Sequence, residues 1–307
     1  MKPYLQLMRP ANIVTAVADI LAGISISYYI SKDASFISNL AQSAWHFVRF
    51  PFIAFDALYL ILATIGLYGG GVVMNDVFDA ALDKVERPER PIPSGKVTKQ
   101  DATFLGLSLL AFGVFCGFKA SVISGCIAVA IAGLALLYDY KGKHHALFAP
   151  LNMGLCRGAN LLLGASILTS NLTHFWYLSF IPIVYIAAIT MVSRGEVHGG
   201  DQKNLKLGLL MYSSVVISLI VMIFLFSKNY WAVPFIILFS YFIFPPLVKA
   251  MQEPAPTNVM KAVKSGVISL IILDATITTI FANFYFGLIV LSLLLLSKSL
   301  AKKFAVT

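Results

Sequence analysis

Residues 69–95 read G-G-G-V-V-M-N-D-V-F-D-A-A-L-D-K-V-E-R-P-E-R-P-I-P-S-G. An apolar segment runs up to Gly69, Gly70 and Gly71, and then eight charged side chains crowd into residues 75–95, acids first and arginines after. The chain that carries this knot is 59% hydrophobic and only 12% charged, with a mean hydropathy of +0.84. Soluble domains run about 45–50% apolar and about 25% charged. Apolar runs of about 20 residues, long enough to cross a hydrocarbon core of roughly 30 Å, recur from end to end. The charge cluster therefore punctuates an all-α, polytopic membrane protein, read as a single transmembrane domain over residues 1–307.

Working outward, the candidate spans are about 10–30, 51–74, 103–118, 120–138, 146–168, 174–193, 205–226, 230–250 and 264–282, with a shorter apolar piece at about 284–298. That predicts nine helices and leaves room for a short tenth. With the N-terminus in the cytoplasm, the N-terminal tail and even-numbered gaps hold fifteen Lys and Arg, from Lys2 and Arg9 to Lys261 and Lys264. The odd-numbered gaps hold four: Lys32, Arg49, Lys119 and Lys228. This positive-inside bias puts the N-terminus and every motif-like loop on the cytoplasmic face of a cell (inner, plasma) membrane. The net charge of +9 is thus explained by topology and does not indicate nucleic acid. No cleavable signal peptide is evident in MKPYLQLMRP, and Cys116, Cys126 and Cys156 lack any CxxC spacing, which points to buried, inert thiols.

Asp76, Asp79 and Asp83 stand at i, i+3 and i+7, on one face of a helix, with the amide oxygen of Asn75 at the same end. An oxygen-only set of this kind suits Mg²⁺, which takes one or two carboxylates and completes its shell with water and phosphate. Arg87 and Arg90, each before a proline, offer guanidinium forks for phosphate oxygens. A metal-bridged polyphosphate site follows, against the plainer alternative of a solvated loop that serves topology. The segment Y-D-Y-K-G-K-H-H (138–145) adds Tyr138, Lys141 and Lys143 as phosphate contacts, with ordinary topological lysines as the alternative. Arg157, inside the fifth span with Asn152 and Asn160, is costly in a bilayer. It is either a functional group of the bundle interior or a structural partner of a neighbouring Asp. In S-R-G-E-V-H-G-G-D (193–201), Glu196 and Asp201 are candidate metal ligands and His198 a phosphate contact. Glu196 and Asp201 stand about 140° apart on a regular helix and do not share a face. Asn12 and Asp19 share a face of the first span and point toward a central cavity. Asp274 lies inside the ninth span.

N-D-x-x-D-x-x-x-D at 75–83, followed by R-P-x-R-P-I-P-S-G, resembles the first aspartate-rich motif of the UbiA superfamily of intramembrane prenyltransferases. The early R-P at 9–10, the Tyr/Lys segment after span four and the Gly/acid loop after span six extend the resemblance along nearly the whole chain. It implies a nine-helix bundle around a central cavity, where Mg²⁺ is held against the diphosphate of an isoprenyl donor. By that likeness Asn75, Asp76, Asp79 and Asp83, with Glu196 and Asp201, hold the metal. Arg87, Arg90, Tyr138, Lys141, Lys143 and His198 hold the diphosphate, Asn12, Asp19 and Asn152 meet the acceptor, and Asp76, Asp79 and Arg157 serve catalysis. The second motif departs from the family's D-x-x-x-D: G-E-V-H-G-G-D has Glu196 for the expected Asp, and this resembles the EboC-like branch. The implied reaction is Mg²⁺-dependent transfer of an isoprenyl group to a small aromatic or hydroxylated acceptor. A membrane terpene cyclase using the same donor and a non-catalytic lipid or metabolite transporter are the competing readings.

Overall fold

The computed structural model of the protein describes residues 2–34, 39–140, 145, 147–169, 172–196, 199–227 and 229–304, with side chains throughout except at 30–53 and 227. Every regular element in these ranges is helical. A short α1 (Lys2–Met8) leads into α2 (Pro10–Ala34), α3 (Asn39–Phe78) and the single turn-pair α4 (Ala80–Glu86). Then come α5 (Lys99–Ala120), α6 (Val122–Tyr140), α7 (Phe148–Ala165), α8 (Leu172–Phe175) and α9 (Phe180–Ser193). The chain closes with α10 (Gln202–Met222), α11 (Val233–Gln252), α12 (Pro256–Phe281) and α13 (Phe284–Phe304).

Local chemistry marks the boundaries. Thr98 caps α5 by accepting from the Asp101 amide at 3.0 Å, and Asp201 caps α10 by accepting from the Lys203 amide at 3.2 Å. Proline opens α2 and α12, where the missing N–H costs nothing. In the hydrocarbon region helices satisfy all their own backbone groups, so the side chains decide only how helices sit together.

They sit in a ring. α3 packs along α5, α5 on α6, α6 on α7, α7 on α9, α9 on α10, α10 on α11 and α11 on α12. α2 closes the ring by packing on both α7 and α12. The α2/α7 crossing is set by glycine: a Cβ at Gly23 would stand 2.2 Å from the Leu161 carbonyl, and one at Gly164 2.4 Å from that of Ile20. Close backbone approach through small residues is the usual means of joining helices that gain nothing from hydrophobic sorting. Large apolar side chains such as Phe104 and Tyr241 point outward, as lipid-facing residues do.

Nine helices among the described residues are long and apolar enough to cross a membrane. The set differs from the expected nine. It includes α13, which runs 21 residues to Phe304 instead of ending near 298, and it leaves out the eighteen-residue α7. Asn152, Arg157 and Asn160 lower the apolarity of α7, yet it lies inside the bundle between α2, α6 and α9. With α7, ten long helical segments among the described residues build the bundle. Of the apolar stretch of α12, 72% is enclosed, against 17% for α13, so α12 belongs to the ring and α13 to its outer surface. The last helix is pinned by Ser297, whose hydroxyl donates to the Ala11 carbonyl at 2.9 Å. Cys116 is buried, while Cys126 faces outward, contrary to an enclosed position.

Candidate active site

One end of the ring gathers the charged loops. Gly200 N donates to the Pro254 carbonyl at 2.9 Å, the Gln202 amide to Met251 O at 2.6 Å, and Arg194 reaches His145 O at 3.4 Å. At this end a cavity of about 360 Å³ opens among α2, α3, α6, α7, α9 and α12.

The mouth is built from the quoted stretch. α3 carries Asn75 and Asp76 on its last turn, and the helix bends at Asp79 before resuming as α4. Backbone bonds from Asp79 N to Asn75 O and from Asp83 N to Asp79 O keep the helical spacing across the bend. Asp76 is 4% exposed, and its Oδ1 lies 2.5 Å from Arg9 Nη2 and 3.3 Å from Arg90 Nη1. The same Arg90 Nη1 donates to Asp83 Oδ2 at 2.7 Å. Asp83 is thus enclosed beside Arg90 as Asp76 is, and neither acid is among the residues that line the cavity. Its neighbour turn is held by Val97 N to Pro91 O, 3.1 Å, and by Gly95, whose φ of 72° suits glycine. Asn75 lines the cavity and donates to Asp139 Oδ1 at 2.8 Å. Tyr138 lines it too, within the electrostatic reach of Asp79, Asp139 and Arg194.

The second loop meets the first through opposite charges. Glu196 is half-buried and faces Arg87 and Lys264; burial pushes its carboxyl above the usual range, and the two cations pull it back. Asp201 stands apart, exposed and engaged as the α10 cap. Lys141, Lys143 and His198 lie outside the described residues.

Deeper in, Arg157 and Asn160 form part of the wall. Arg157 Nε sits 2.5 Å from Asp19 Oδ2 and its Nη2 donates to Thr15 O at 2.6 Å. Asn160 donates to Asp19 Oδ2 and to Ala16 O, both at 2.9 Å, while Thr64 donates to Asn160 Oδ1 at 2.7 Å. Arg157 is therefore both a cavity residue and the structural partner of an Asp. Of the three expected acceptor contacts, Asn12 lines the cavity. Asp19 and Asn152 differ: each is fully enclosed, Asp19 because it faces Arg157 and Asn152 behind the wall with its Nδ2 lacking a hydrogen-bond partner. Sequence reasoning missed Asp139, which lay inside the quoted Y-D-Y segment, and gave Arg9 a topological role and a place in the R-P of the resemblance but no partner. Thr64 and Tyr68, also in the lining, carry no sequence signal.

The donor chemistry at the mouth fits Mg²⁺. Asp76 Oδ1 already meets two guanidinium groups, with which a bound cation would share or contest that oxygen. Among the described residues no three His, Cys, Asp or Glu stand together as a complete cage. Asn75, Asp76 and Asp79 offer oxygen donors only, a set suited to a cation that takes one or two carboxylates and finishes its shell with water and phosphate.

Residues 40–254 match the model of the UbiA prenyltransferase family. A digeranylgeranylglyceryl phosphate synthase of Methanosarcina mazei is 29% identical over 196 residues, covering 64% of this chain and 63% of that protein. The protein of the same name from Methanococcoides burtonii is 31% identical over 167 residues, 54% of this chain and 55% of that one. The chain thus spans 55–63% of the length of these relatives. In structure it resembles the apo form of a UbiA homolog from Aeropyrum pernix K1, with a TM-score of 0.66 at 17% identity over 86% of this chain and 96% of that one. A UbiA homolog from Archaeoglobus fulgidus bound to GPP and Mg²⁺ gives 0.58 at 12% identity over 94% and 99%. At such identities the likeness is one of fold.

Proposed function

The chain belongs to the UbiA prenyltransferase family, and on that premise we propose that it transfers an isoprenyl group from an isoprenyl diphosphate to a small acceptor in a Mg²⁺-dependent reaction within the membrane. The observation that carries this reading is the mouth of the cavity, where enclosed carboxylates and arginines meet above a wall rich in apolar side chains. The binding of Mg²⁺ with a diphosphate to the Archaeoglobus homolog supports the cofactor.

Asn75, Asp76 and Asp79 would hold the metal, and Asp139 keeps Asn75 oriented. Bound there, Mg²⁺ neutralises phosphate charge and eases departure of pyrophosphate. Arg90, fixed by Asp83, and Arg87 present guanidinium groups to the remaining phosphate oxygens. The allylic C–O bond breaks, its electron pair leaves with pyrophosphate, and an acceptor oxygen forms the new bond and gives up its proton. The apolar lining, including Leu67, Ile131, Ile186, Ile189 and Leu270, excludes water from the electron-poor carbon. The relatives are named for a glyceryl phosphate, and by that likeness we take the acceptor to be hydroxylated. The bias of Lys and Arg supports a cytoplasmic mouth.

The test is release of pyrophosphate from isoprenyl diphosphates by protein in lipid vesicles, with and without Mg²⁺ and hydroxylated acceptors, followed by mass spectrometry of the lipids formed. A prenylated acceptor is the expected product. Release without any acceptor would favour a cyclase, and Mg²⁺-independent movement of donor across the vesicle with no release would favour a transporter.

A further inference from the structure

Two carboxyl groups and one guanidinium are enclosed at the centre of the bundle, away from the charged loops. Asp19 of α2 is 0% exposed, Asp274 of α12 1% and Arg157 of α7 5%. Among the described residues Arg157 is the one base so enclosed. Arg157 and Asn160 converge on Asp19 Oδ2 and leave its Oδ1 without a donor. Asp274 has no cation of its own, and its Oδ2 likewise receives no N–H or O–H from the described residues. α2 packs along α12, and the two carboxyl groups interact across that contact.

Two ionised carboxylates have four acceptor sites and no proton to place between them. Arginine keeps its charge in any protein environment. With both acids ionised the cluster would hold a net negative charge inside the hydrocarbon region, and with both protonated a net positive one. Either is costly, and a single proton between the acids removes the excess. The neighbouring groups offer no other counter-charge. α9 brings Tyr185, whose hydroxyl is spent on Gly266 O at 2.9 Å; α3 brings Thr64, spent on Asn160; α12 adds Thr278.

We infer that Asp274 keeps its proton and donates it to Asp19, so that the Asp19–Arg157–Asp274 cluster is neutral, and that Asp274 is thereby a positioning residue for Arg157 at the cavity wall. Asp19 bears the negative charge because it alone has the guanidinium and the amide on it. Asp274 satisfies the free oxygen of Asp19 and ties α12 to the α2/α7 crossing. Only the importance of Arg157 to turnover rests on the proposed prenyl transfer; the proton arrangement does not.

The experiment is infrared spectroscopy of the full chain in detergent at neutral pH, with aspartate labelled with ¹³C at its carboxyl group, alongside thermal unfolding. The expected result is an isotope-sensitive C=O stretch of a protonated carboxylic acid that is lost in D274N and, in D274E, leaves the isotope-sensitive set because glutamate is unlabelled. D274N, which still donates to Asp19, should unfold close to wild type, and D274A lower. D19N, which strands Arg157, should lose about 100-fold or more in its folded-to-unfolded ratio. A wild-type spectrum without the protonated band, a band untouched in D274N or D274E, or a D19N as stable as D274N would overturn the inference. D274E serves if D274N does not fold. None of these readouts uses donor or acceptor, so an inactive protein leaves them intact.

Discussion

Arg9 Nη2 reaches Asp76 Oδ1 across 67 residues of sequence, at 2.5 Å. Arg9 holds a left-handed backbone, φ 48°, at the joint between α1 and α2 and ahead of Pro10. A non-glycine residue in that region costs about 1–2 kcal/mol, so the surrounding structure holds the joint in place. The contact binds the start of the chain to the mouth of the cavity and sets a guanidinium where a metal would compete for the same oxygen.

Arg9→Ala should therefore strengthen binding of Mg²⁺ alone. The Arg9 side chain is 35% exposed, so the competing ion pair is worth at most about 1 kcal/mol, or roughly fivefold in affinity. Titration of Mg²⁺ against protein free of donor, followed calorimetrically, checks it. Unchanged or weaker binding would show that Arg9 does not compete at Asp76.

Asp76→Ala and Asp79→Ala should each lower Mg²⁺-dependent pyrophosphate release by about 100-fold or more, a loss typical of removing a preorganised charge from a reacting centre. Unfolding in detergent verifies that the variants remain folded. Full release by the double variant would end the prenyl-transfer reading.

Arg90→Lys should fail nearly as badly as Arg90→Ala. One guanidinium nitrogen serves both Asp76 and Asp83, while the planar fork can still offer its other N–H groups to phosphate; an ammonium lacks that geometry. The expected signature is a rise in donor KM of about tenfold or more for both variants. Wild-type kinetics in the lysine variant would remove Arg90 from the diphosphate site.

Gly23→Val or Gly164→Val should force α2 away from α7. Each new Cβ would fall within 2.4 Å of a carbonyl oxygen on the opposing helix, and overpacking of this sort costs about 1–3 kcal/mol. Thermal unfolding should show the loss, with Gly133→Val, where a Cβ meets open space, as the control.

If α7 crosses the membrane along with the nine apolar helices, Glu89 and Lys302 should face the same side. Cysteines introduced at Glu89 and at Lys302 should react with an impermeant thiol reagent from the same side of oriented vesicles, in a background lacking Cys126. Labelling from opposite sides would contradict the crossing of α7 or of α13.

What the sequence made legible was local. The Asp76, Asp79 and Asp83 spacing is contained in eight residues, so helical geometry alone brings Asp76 and Asp83 to one side, where both meet Arg90. The caps and prolines that bound the helices are local too. Pairings across the bundle were not legible: Asn75 with Asp139, Arg9 with Asp76, and Arg157 with Asp19 join residues from different helices. Helices apolar all round give no periodicity from which to read such neighbours. For the same reason Asp19 and Asn152 looked like cavity residues until the α2/α7 crossing placed them behind the wall. α7 shows the converse: its polar side chains depress its hydropathy because it is an interior helix. Asp201 precedes α10 as its cap, outside any helix shared with Glu196, so the helical angle between the two does not apply.

The pairing of Asp19 with α7 also has a history in time. Asn160, which donates to Asp19, is 141 residues further along the chain. At roughly 5–20 residues per second the ribosome needs on the order of ten seconds to make that distance. During synthesis the first membrane helix thus carries its acid before its arginine partner exists. It must either enter the lipid with a protonated carboxyl or wait at the insertion machinery. In the second case the first membrane helix settles only once α7 has been made.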